Sequence, residues 1–351
     1  MLGWPLLLLN LTGNNLGAIN FMKTGVEQFS ISFVNPATGV PLNHVGDTLI
    51  DSEDRSEIAR IVDQIPRFVE PGDNYAESFG WQWKHWRDNQ SESRGASVKQ
   101  RELILERTHF AEYDLAGKTV LECGMGGGDD TEVLLTLPFS EIHSFDLSTA
   151  VERAQHHLHD ERLKLSQASI YAIPYPDRVF DFVFCHRVLQ HTPDPEKSLR
   201  CICKKVKSCG ILFIHSYKRS PEHMAEWRYK YRWFTTRVPK EWIYYYVQCF
   251  GWLLHHFVDF FYQLGGPYLS FAYRYFPFYR VNRTGVYAMD KKEAIELEKM
   301  ITFDALTPRY DSPMTTSQLK SILTDEGFVI EHIEDRFPSP VYATARKNLV
   351  D

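Results

Sequence analysis

Short apolar runs recur through the middle of the chain, and helices are predicted near Asp129, after Ser148 and over Pro195–Lys207. The run Phe180–Cys185 is almost continuously apolar, which is typical of a parallel strand covered on both faces. Since strand-length runs alternate with helices, the pattern predicts an α/β fold with a doubly wound, mostly parallel sheet. The predicted strands of this sheet are Thr119–Leu121, Glu141–Asp146, Leu163–Ala168, Phe180–Cys185 and Ile211–His215.

Helix signals and further strands frame this region. Pro195–Lys207 is predicted as one helix, with lysines in its last turns and Gly210 as the stop signal. Gln100–His109 is predicted as a helix that leads into the sheet. Near the C-terminus, Glu326–Ile330 and Val341–Ala345 are predicted as the last two strands.

The stretch Glu122–Asp130 reads Glu-Cys-Gly-Met-Gly-Gly-Gly-Asp-Asp and directly follows the first strand. Glycines permit positive φ angles and a close approach to a ligand, and the first strand-to-helix turn of a doubly wound sheet holds a cofactor. In a dinucleotide site, Asp129 and Asp130 would lie beside the phosphates. Each such pair of like charges repels by about 1–4 kcal/mol, which favours a cationic nucleoside.

Glu122, Gly124, Gly126 and Gly128 together match the pattern acid-x-Gly-x-Gly-x-Gly. On these residues the chain resembles the class I S-adenosylmethionine-dependent methyltransferases of the small-molecule, methyltransferase type 11-like kind. The resemblance implies a Rossmann-like doubly wound sheet closed by an antiparallel C-terminal hairpin. It also implies S-adenosyl-L-methionine as the cofactor, with Glu122 facing its cationic side.

Other cofactor contacts are predicted at the ends of the following strands. Asp146 has the spacing expected of a ribose-binding carboxylate, with a turn or helix-capping role as the alternative. The resemblance puts the adenine near Ser169 and Ile170, although the family usually carries an acid at the first of these positions. It completes the predicted cofactor set with Met125, Leu147, Cys185 and His186.

Composition and motifs divide the chain into six segments. Residues 1–25 are predicted to be a leader, because the apolar run Leu6–Leu9 is too short for a signal peptide or a membrane span. The remaining segments are a ribbon-like arm at 26–72, an aromatic lid and helix leading into the sheet at 73–115, the Rossmann-like core at 116–218, a helical cap insertion at 219–316, and the final helix and hairpin at 317–351.

Residues 33–69 resemble a small zinc-ribbon module that precedes many bacterial methyltransferases and holds zinc through four cysteines. Asn35 and Thr38 stand at the first cysteine pair, and the second pair is missing near Asp51–Arg55. Zinc needs thiolate or imidazole ligands that this segment lacks. We therefore expect a degenerate, metal-free ribbon, with a simple β-hairpin arm as the alternative.

Two aromatic segments flank the core. Tyr75 and Phe79 are candidates for a lid that contacts a sulfonium by cation–π attraction, or else they anchor the arm. The cap is rich in Trp, Tyr and Phe. These residues either form the cap's own core and an apolar opening for a bulky acceptor, or they form an amphipathic surface that lies on a membrane. His255, His256 and Asp259 interrupt its longest apolar run, which disfavours a membrane span.

Charge and cysteine content narrow the class of protein. The net charge of −6 over 351 residues gives no reason to expect nucleic-acid binding. The six cysteines show no paired zinc spacing and suit a reduced, cytoplasmic protein.

Transfer of a methyl group to a hydroxyl requires removal of its proton, for which histidine is suited near neutral pH. His191 is the first candidate base, and His186 and His215 are rivals at strand ends; a structural role is the alternative for each. We expect methylation of a small-molecule, glycan or lipid-precursor acceptor, most readily at oxygen. The alternatives are an NAD(P)-dependent oxidoreductase or epimerase, and a catalytically inactive S-adenosylmethionine-binding protein.

Overall fold

The computed structural model describes residues 29–69, 74–86, 93–281 and 290–349, with side chains from residue 100 onward in the helix that begins at Ser93. The leader predicted at 1–25 lies outside the described residues. All elements named below belong to one unit, Ile31–Asp351.

Eleven strands within the described residues form a single mixed sheet. Their order across the sheet is β1-β2-β3-β4-β7-β6-β5-β8-β9-β11-β10. In chain order they are β1 Leu42–Val45, β2 Thr48–Asp51, β3 Glu57–Val62, β4 Ile65–Arg67, β5 Thr119–Cys123, β6 Glu141–Asp146, β7 Leu163–Gln167, β8 Phe180–Cys185, β9 Val206–Ser216, β10 Phe328–Asp335 and β11 Val341–Lys347.

Strands β4 and β7–β6–β5–β8–β9 run parallel, and β10 and β11 close the sheet as an antiparallel hairpin beside β9. This is the α/β, Rossmann-like doubly wound arrangement with a C-terminal hairpin that the sequence predicts. Strand β6 lies on one side of β5 and β8 lies on the other, so the connections run in opposite directions from β5. This leaves a crevice at the carboxyl ends of these strands.

Helices cover both faces of the sheet and form the cap. Within the described residues they are α1 Glu77–His85, α2 Ser93–Thr108, α3 Asp129–Leu135, α4 Ala150–His157, α5 Pro195–Cys203, α6 Pro221–Met224, α7 Trp227–Thr235, α8 Lys240–Leu264, α9 Gly266–Tyr275, α10 Lys291–Leu306 and α11 Thr316–Asp325. Two 3₁₀ turns lie at Phe110–Glu112 and Leu189–His191.

The alternation of side chains along each strand explains why the central strands are apolar throughout. Leu121 packs into the cluster on one face of the sheet, whereas Val120 packs into the cluster on the other. Val183 and Phe182 divide in the same way on β8. Because helices cover both faces, all five positions of β5 and all but Asp181 of β8 are buried.

The prediction of one helix over Pro195–Lys207 is wrong at its C-terminal end. The helix stops at Cys203, and Val206 already pairs with Phe180 in the sheet. Gly210 therefore lies within a strand and is not a helix stop. A Cβ at Gly210 would come within 2.9 Å of the Asp181 carbonyl oxygen, so close strand packing requires glycine there.

The N-terminal arm extends the sheet. Strands β1 to β4 form an antiparallel meander, and Arg67 of β4 pairs with Gln167 of β7. Asn35 Nδ2 donates to Asp51 Oδ2 at 2.8 Å. The resemblance to a zinc ribbon would put metal ligands at or near these two residues. In this chain a direct hydrogen bond joins the turn at Asn35 to the turn at Asp51.

The cap, α6 to α10, has its own apolar cluster, which includes Trp227, Val247 and Phe303 and also takes in Trp86 beyond α1. No helix in the described ranges is long and apolar enough to cross a membrane.

Candidate functional site

The glycine-rich loop between β5 and α3 lies at the carboxyl edge of the parallel strands. The N–H groups of Gly124 and Met125 donate to the Phe145 carbonyl of β6 at 2.9 and 3.1 Å. The Gly126 N–H donates to Asp146 Oδ2 at 2.8 Å. The loop is therefore tied to the end of β6, and two of the predicted cofactor residues are in direct contact.

Two glycines of this loop combine positive φ with close packing. Gly124 has φ +77°, and a Cβ there would lie 2.3 Å from Val188. Gly128 has φ +97°, and a Cβ there would lie 2.7 Å from Leu158. Any other residue at these positions would be strained in its backbone and would clash with a neighbour.

The Trp83 indole covers one side of the loop. Added Cβ atoms at Gly126 and Gly127 would lie 3.0 and 2.4 Å from its ring. The Arg153 guanidinium stacks on the same indole at 4.8 Å. Protein atoms thus seal this side of the loop.

Glu122 is fully buried on β5. Its Oε2 accepts hydrogen bonds from Thr131 Oγ1 and Ser144 Oγ, both at 2.7 Å. Burial raises the pKa of Glu122 to about 8, which outweighs these two hydrogen bonds. In the protein without ligand, the carboxyl is therefore mostly protonated at neutral pH.

Asp146 is held by local hydrogen bonds. Its Oδ1 accepts from both the backbone N–H and the hydroxyl of Ser148, at 2.7 and 2.6 Å. Burial raises the pKa of Asp146. A carboxylate has about four accepting positions; the Gly126 N–H and the two Ser148 groups use three of them, which leaves one for a ribose hydroxyl.

Tyr75 connects the positions predicted for ribose and adenine. Burial raises the pKa of the Tyr75 phenol, with smaller contributions from neighbouring Tyr171 and Asp146. Ser169 lies in the same group, and its hydroxyl accepts from the Tyr171 N–H at 3.2 Å. Tyr75 also packs edge-on against Tyr310, with ring centroids 5.9 Å apart.

Four other predicted cofactor residues are buried, namely Met125, Leu147, Ile170 and Cys185. The Met125 side chain packs in a cluster with Ile65 and Val151. Burial also raises the pKa of the Cys185 thiol. Contacts between these residues and a ligand would therefore involve mainly the backbone.

Asp129 and Asp130 are each engaged by a partner. Arg153 Nη1 lies 3.3 Å from Asp129 Oδ1, and His186 Nδ1 lies 2.7 Å from Asp130 Oδ2. The expectation that both carboxylates would confront bound phosphates therefore needs correction. Because cationic or hydrogen-bonding groups already engage them, their repulsion alone does not discriminate between ligands.

The three candidate histidines have different surroundings. Both His186 and His215 are buried, and burial lowers the pKa of each. His186 donates from Nδ1 to Asp130, whereas His215 Nδ1 accepts from the Arg187 N–H at 3.1 Å. Neither imidazole is exposed at the edge of the sheet, and the cofactor contact predicted for His186 stays a prediction.

His191 is partly exposed at the carboxyl edge of the sheet. Its Nδ1 lies 3.2 Å from the Tyr310 carbonyl oxygen, which can only accept, so this nitrogen carries the proton. Nε2 is then left with its lone pair. The Phe79 ring packs edge-on against this imidazole, with centroids 5.0 Å apart. Of the three histidines, His191 is the one with the geometry of an accessible base.

Helix α1 crosses this edge of the sheet. Gly80 lets it approach Thr149 so closely that an added Cβ would lie 2.7 Å from Oγ1. Tyr75, Phe79 and Trp83 then reach the ends of different strands. The other side of the helix is fixed to the cap, because Trp81 stacks on Phe303 with centroids 5.1 Å apart.

A cavity of about 280 Å³ lies between the cap and the end of β9. Tyr217 lies in its wall, and its ring centroid is 5.9 Å from that of His191. Arg228 Nε is 3.1 Å from Glu226 Oε2. The cavity is lined by Tyr217, His223, Glu226, Arg228, Tyr273, Tyr279, Ile301, Asp304, Ala305 and Pro338–Pro340.

Asp304 differs from the other charged groups of the cavity. No hydrogen bond or ion pair joins it to another residue of the described ranges. Burial raises the pKa of Asp304, and the largest effect that lowers it comes from His191. Its carboxyl group is available to a molecule in the cavity.

One group of side chains within the described residues has the spacing to hold a metal ion: His109, Glu112 and His332. His109 Nδ1 and His332 Nε2 lie 2.8 and 3.1 Å from the Glu112 carboxylate. None of these residues belongs to the candidate site. The absence of a metal from that site stays a prediction.

Sequence reasoning missed Trp83 and Asp304. Trp83 was visible only as part of an aromatic string, and nothing local indicates that it reaches the glycine loop. Asp304 lies in an ordinary amphipathic helix, far along the chain from the core motifs. Only the packing of the cap brings it near His191.

Comparison with known proteins identifies the central segment. Residues 121–214 match the protein family described as Methyltransferase domain. A ubiquinone biosynthesis O-methyltransferase of Azoarcus sp. (strain BH72) is 33% identical over 111 residues, which cover 30% of this chain and 47% of that protein. Phosphoethanolamine N-methyltransferase 2 of Caenorhabditis elegans is 33% identical over 106 residues, which cover 29% of this chain and 24% of that protein. The chain thus spans about half, or less, of the length of these relatives.

A solved complex between the Haloferax volcanii Trm112 methyltransferase activator and a candidate methyltransferase has a TM-score of 0.46 and 11% identity, covering 78% of this chain and 99% of that one.

Proposed function

We propose that the chain is a class I, S-adenosyl-L-methionine-dependent methyltransferase that methylates a small-molecule acceptor at a hydroxyl oxygen, since residues 121–214 match the family described as Methyltransferase domain. The observation that carries the proposal is the glycine-rich loop Gly124–Gly128, tied through Gly126 to the carboxylate of Asp146. The name of the O-methyltransferase relative is in keeping with oxygen as the acceptor atom. The unpaired cysteines are in keeping with a cytoplasmic location.

The residues of the site fit the proposed cofactor. Added Cβ atoms at Gly124 and Gly128 would meet neighbouring side chains, so close packing fixes the loop backbone at these two glycines. Asp146 offers acceptor oxygens to a ribose diol, and Ser169 offers a hydroxyl for the adenine. Glu122 supplies a buried carboxyl that becomes ionised when a cation lies nearby.

S-adenosyl-L-methionine supplies a methyl group that its sulfonium makes reactive. The chain has then to align the acceptor and remove its proton, and good alignment contributes roughly 7–11 kcal/mol to lowering the barrier. His191 Nε2 is the proposed base, since its Nδ1–H is held by the Tyr310 carbonyl. Asp304 is proposed to accept a hydrogen bond from the acceptor in the adjoining cavity.

Calorimetry and turnover test this proposal. The full chain is titrated with S-adenosyl-L-methionine and, separately, with NAD, and is then assayed for methyl transfer to a panel of phenols, catechols and glycosides. Binding of S-adenosyl-L-methionine with turnover of a hydroxylated acceptor is the expected result. Binding of NAD alone would favour an oxidoreductase, and cofactor binding without turnover across the panel would favour a binding protein.

A further inference from the structure

The outer surface of α8 and α9 carries a large exposed aromatic face. Trp242, Leu253 and Phe260 are 67%, 59% and 55% exposed. Scattered exposed apolar residues are normal, but a contiguous set of this size indicates an interaction site. The aromatic outer face is defined by Trp242, Phe250, Leu253, Phe257, Phe260, Leu264, Tyr268, Phe271 and Tyr275.

Helix α8 has two apolar sides, only one of which is covered. Its buried residues Ile243, Val247, Gly251, His255 and Val258 follow one another at three- and four-residue steps and pack against the cap. Leu253, Phe257, Phe260 and Leu264 have the same spacing on the opposite side, so they form a second stripe. An amphipathic helix of a soluble domain would carry polar residues there.

The two helices form one continuous surface. Phe257 and Phe261 have ring centroids 4.9 Å apart, and Phe261 lies 5.7 Å from Phe271. Phe271 lies 5.5 Å from Tyr275, whose ring is 3.8 Å from the ammonium group of Lys230 on α7. The aromatic outer face therefore continues without a break to a basic edge.

Charge indicates what would cover this face. Of the basic residues on α7 to α9, Arg228 and Arg232 are buried and add no charge to this face. Lys230, Arg237 and Arg274 are exposed, and so is one acid, Glu241. Like charges disfavour pairing of this face with the same face of a second copy. An anionic surface is complementary to it.

We propose that the aromatic outer face of α8 and α9 binds peripherally to a membrane surface containing anionic lipid. Trp and Tyr side chains suit the headgroup region, Phe and Leu suit the adjoining acyl chains, and the basic edge at Lys230, Arg237 and Arg274 faces anionic headgroups. This binding is independent of the proposed catalytic function and requires no cofactor.

Two exposed cysteines allow a matched test of this proposal. Cys249 lies on the outer side of α8, whereas Cys209 lies in β9 of the core. The full chain is labelled with an environment-sensitive nitrobenzoxadiazole dye at Cys249 in a Cys209→Ser background, and at Cys209 in a Cys249→Ser background. Both proteins also carry Cys201→Ser.

The labelled proteins are mixed with vesicles of phosphatidylcholine containing about a quarter phosphatidylglycerol. The dye at Cys249 is expected to brighten and shift to shorter wavelength, and the dye at Cys209 is expected to stay unchanged. Raising the salt concentration should weaken the response, because salt screens the basic edge. An unchanged signal at Cys249, or an equal response at both sites, would overturn the proposal.

Substitutions provide a second measurement that needs no label. Leu253→Ser, Phe257→Ser and Phe260→Ser in combination should lower vesicle co-sedimentation about tenfold or more. The matched control combines Val62→Ser, Val329→Ser and Phe337→Ser, whose side chains are exposed to a similar degree elsewhere. An equal loss of vesicle co-sedimentation in both triple variants would contradict binding through the aromatic outer face. Light scattering provides a further outcome. If the unmodified chain is a dimer and only the outer-face variant is a monomer, the face binds a second copy of the chain and not a membrane.

Discussion

At the scale of single residues, Glu122 makes the candidate site sensitive to pH. Burial raises the pKa of this carboxyl to about 8 in the free protein, and a bound cation favours the ionised form and lowers the pKa again. Binding of S-adenosyl-L-methionine should therefore release a proton. Affinity should rise with pH, by as much as about tenfold per unit below pH 8, and level off above it.

Titration calorimetry in buffers of different ionisation enthalpy measures this proton directly. The amino group of the ligand titrates in any variant, so Glu122→Gln is the control that isolates the carboxyl. The variant should show a flatter dependence on pH than the unmodified protein. Identical profiles for the two proteins would mean that Glu122 does not respond to the ligand.

His191 is the second prediction at this scale. His191→Gln should lower kcat about 100- to 10,000-fold, which is the usual contribution of a general base, and should leave the affinity for S-adenosyl-L-methionine nearly unchanged. The exposed His156 on α4 supplies the control His156→Gln. A pH–rate profile completes the test, because loss of the base removes the ionisation on the acid limb. An unaltered profile would rule out His191 as the base.

At the scale of elements, a hydrogen bond between Asn35 and Asp51 joins two turns of the arm that the sequence predicts to be a metal-free ribbon. The Asn35 side chain binds Asp51, and the Ala37 N–H donates to Asn35 Oδ1 at 3.0 Å. The hydrogen bond from Asn35 is the main reason that the pKa of Asp51 is lowered. A carboxyl group whose pKa is lowered by folding stabilises the folded state at pH values above its pKa in the unfolded chain, about 3.8. This stabilisation is lost as the pH falls through the pKa of the folded state.

Asn35→Ala should therefore lower the thermal midpoint by a few degrees at pH 7, and the difference should shrink in acid. Thr38→Ala is the matched control, because the Thr38 hydroxyl makes one exposed contact with Val40 within the same turn. Addition of a strong chelator should leave the midpoint of the unmodified protein unchanged. A fall on chelation would indicate that the arm holds a metal after all.

At the scale of the whole molecule, the cavity proposed to bind the acceptor lies where the cap packs on the end of β9. Asp304 belongs to α10, whereas Tyr217 and His191 belong to the core. Asp304→Asn should raise the KM for the acceptor about tenfold or more, since it weakens one hydrogen bond to the ligand. The affinity for S-adenosyl-L-methionine should be unaffected, which calorimetry can verify.

Asp290→Asn on the same helix is the comparison variant, because Asp290 caps α10 far from the cavity. If both variants behave alike, or if Asp304→Asn acts only on cofactor binding, the acceptor occupies another place.

Much of the core could be predicted because its strands are buried on both faces. Phe180–Cys185 ends where the sequence predicts, since continuous burial leaves a continuous apolar run. The helix over Pro195–Cys203 was predicted four residues too long, because Lys204, Lys205 and Lys207 resemble the end of a helix. Pairing of Val206 with Phe180 overrides that local preference.

The sequence by itself determined the doubly wound core and its glycine loop, because strand alternation and positive φ are requirements on neighbouring residues. Tertiary structure decided which groups meet across long separations: His186 with Asp130, Trp83 with Gly127, and Asp304 with the cavity near His191. These contacts depend on how elements far apart in the sequence pack together. Such packing produces no periodic pattern of residues from which it could be predicted.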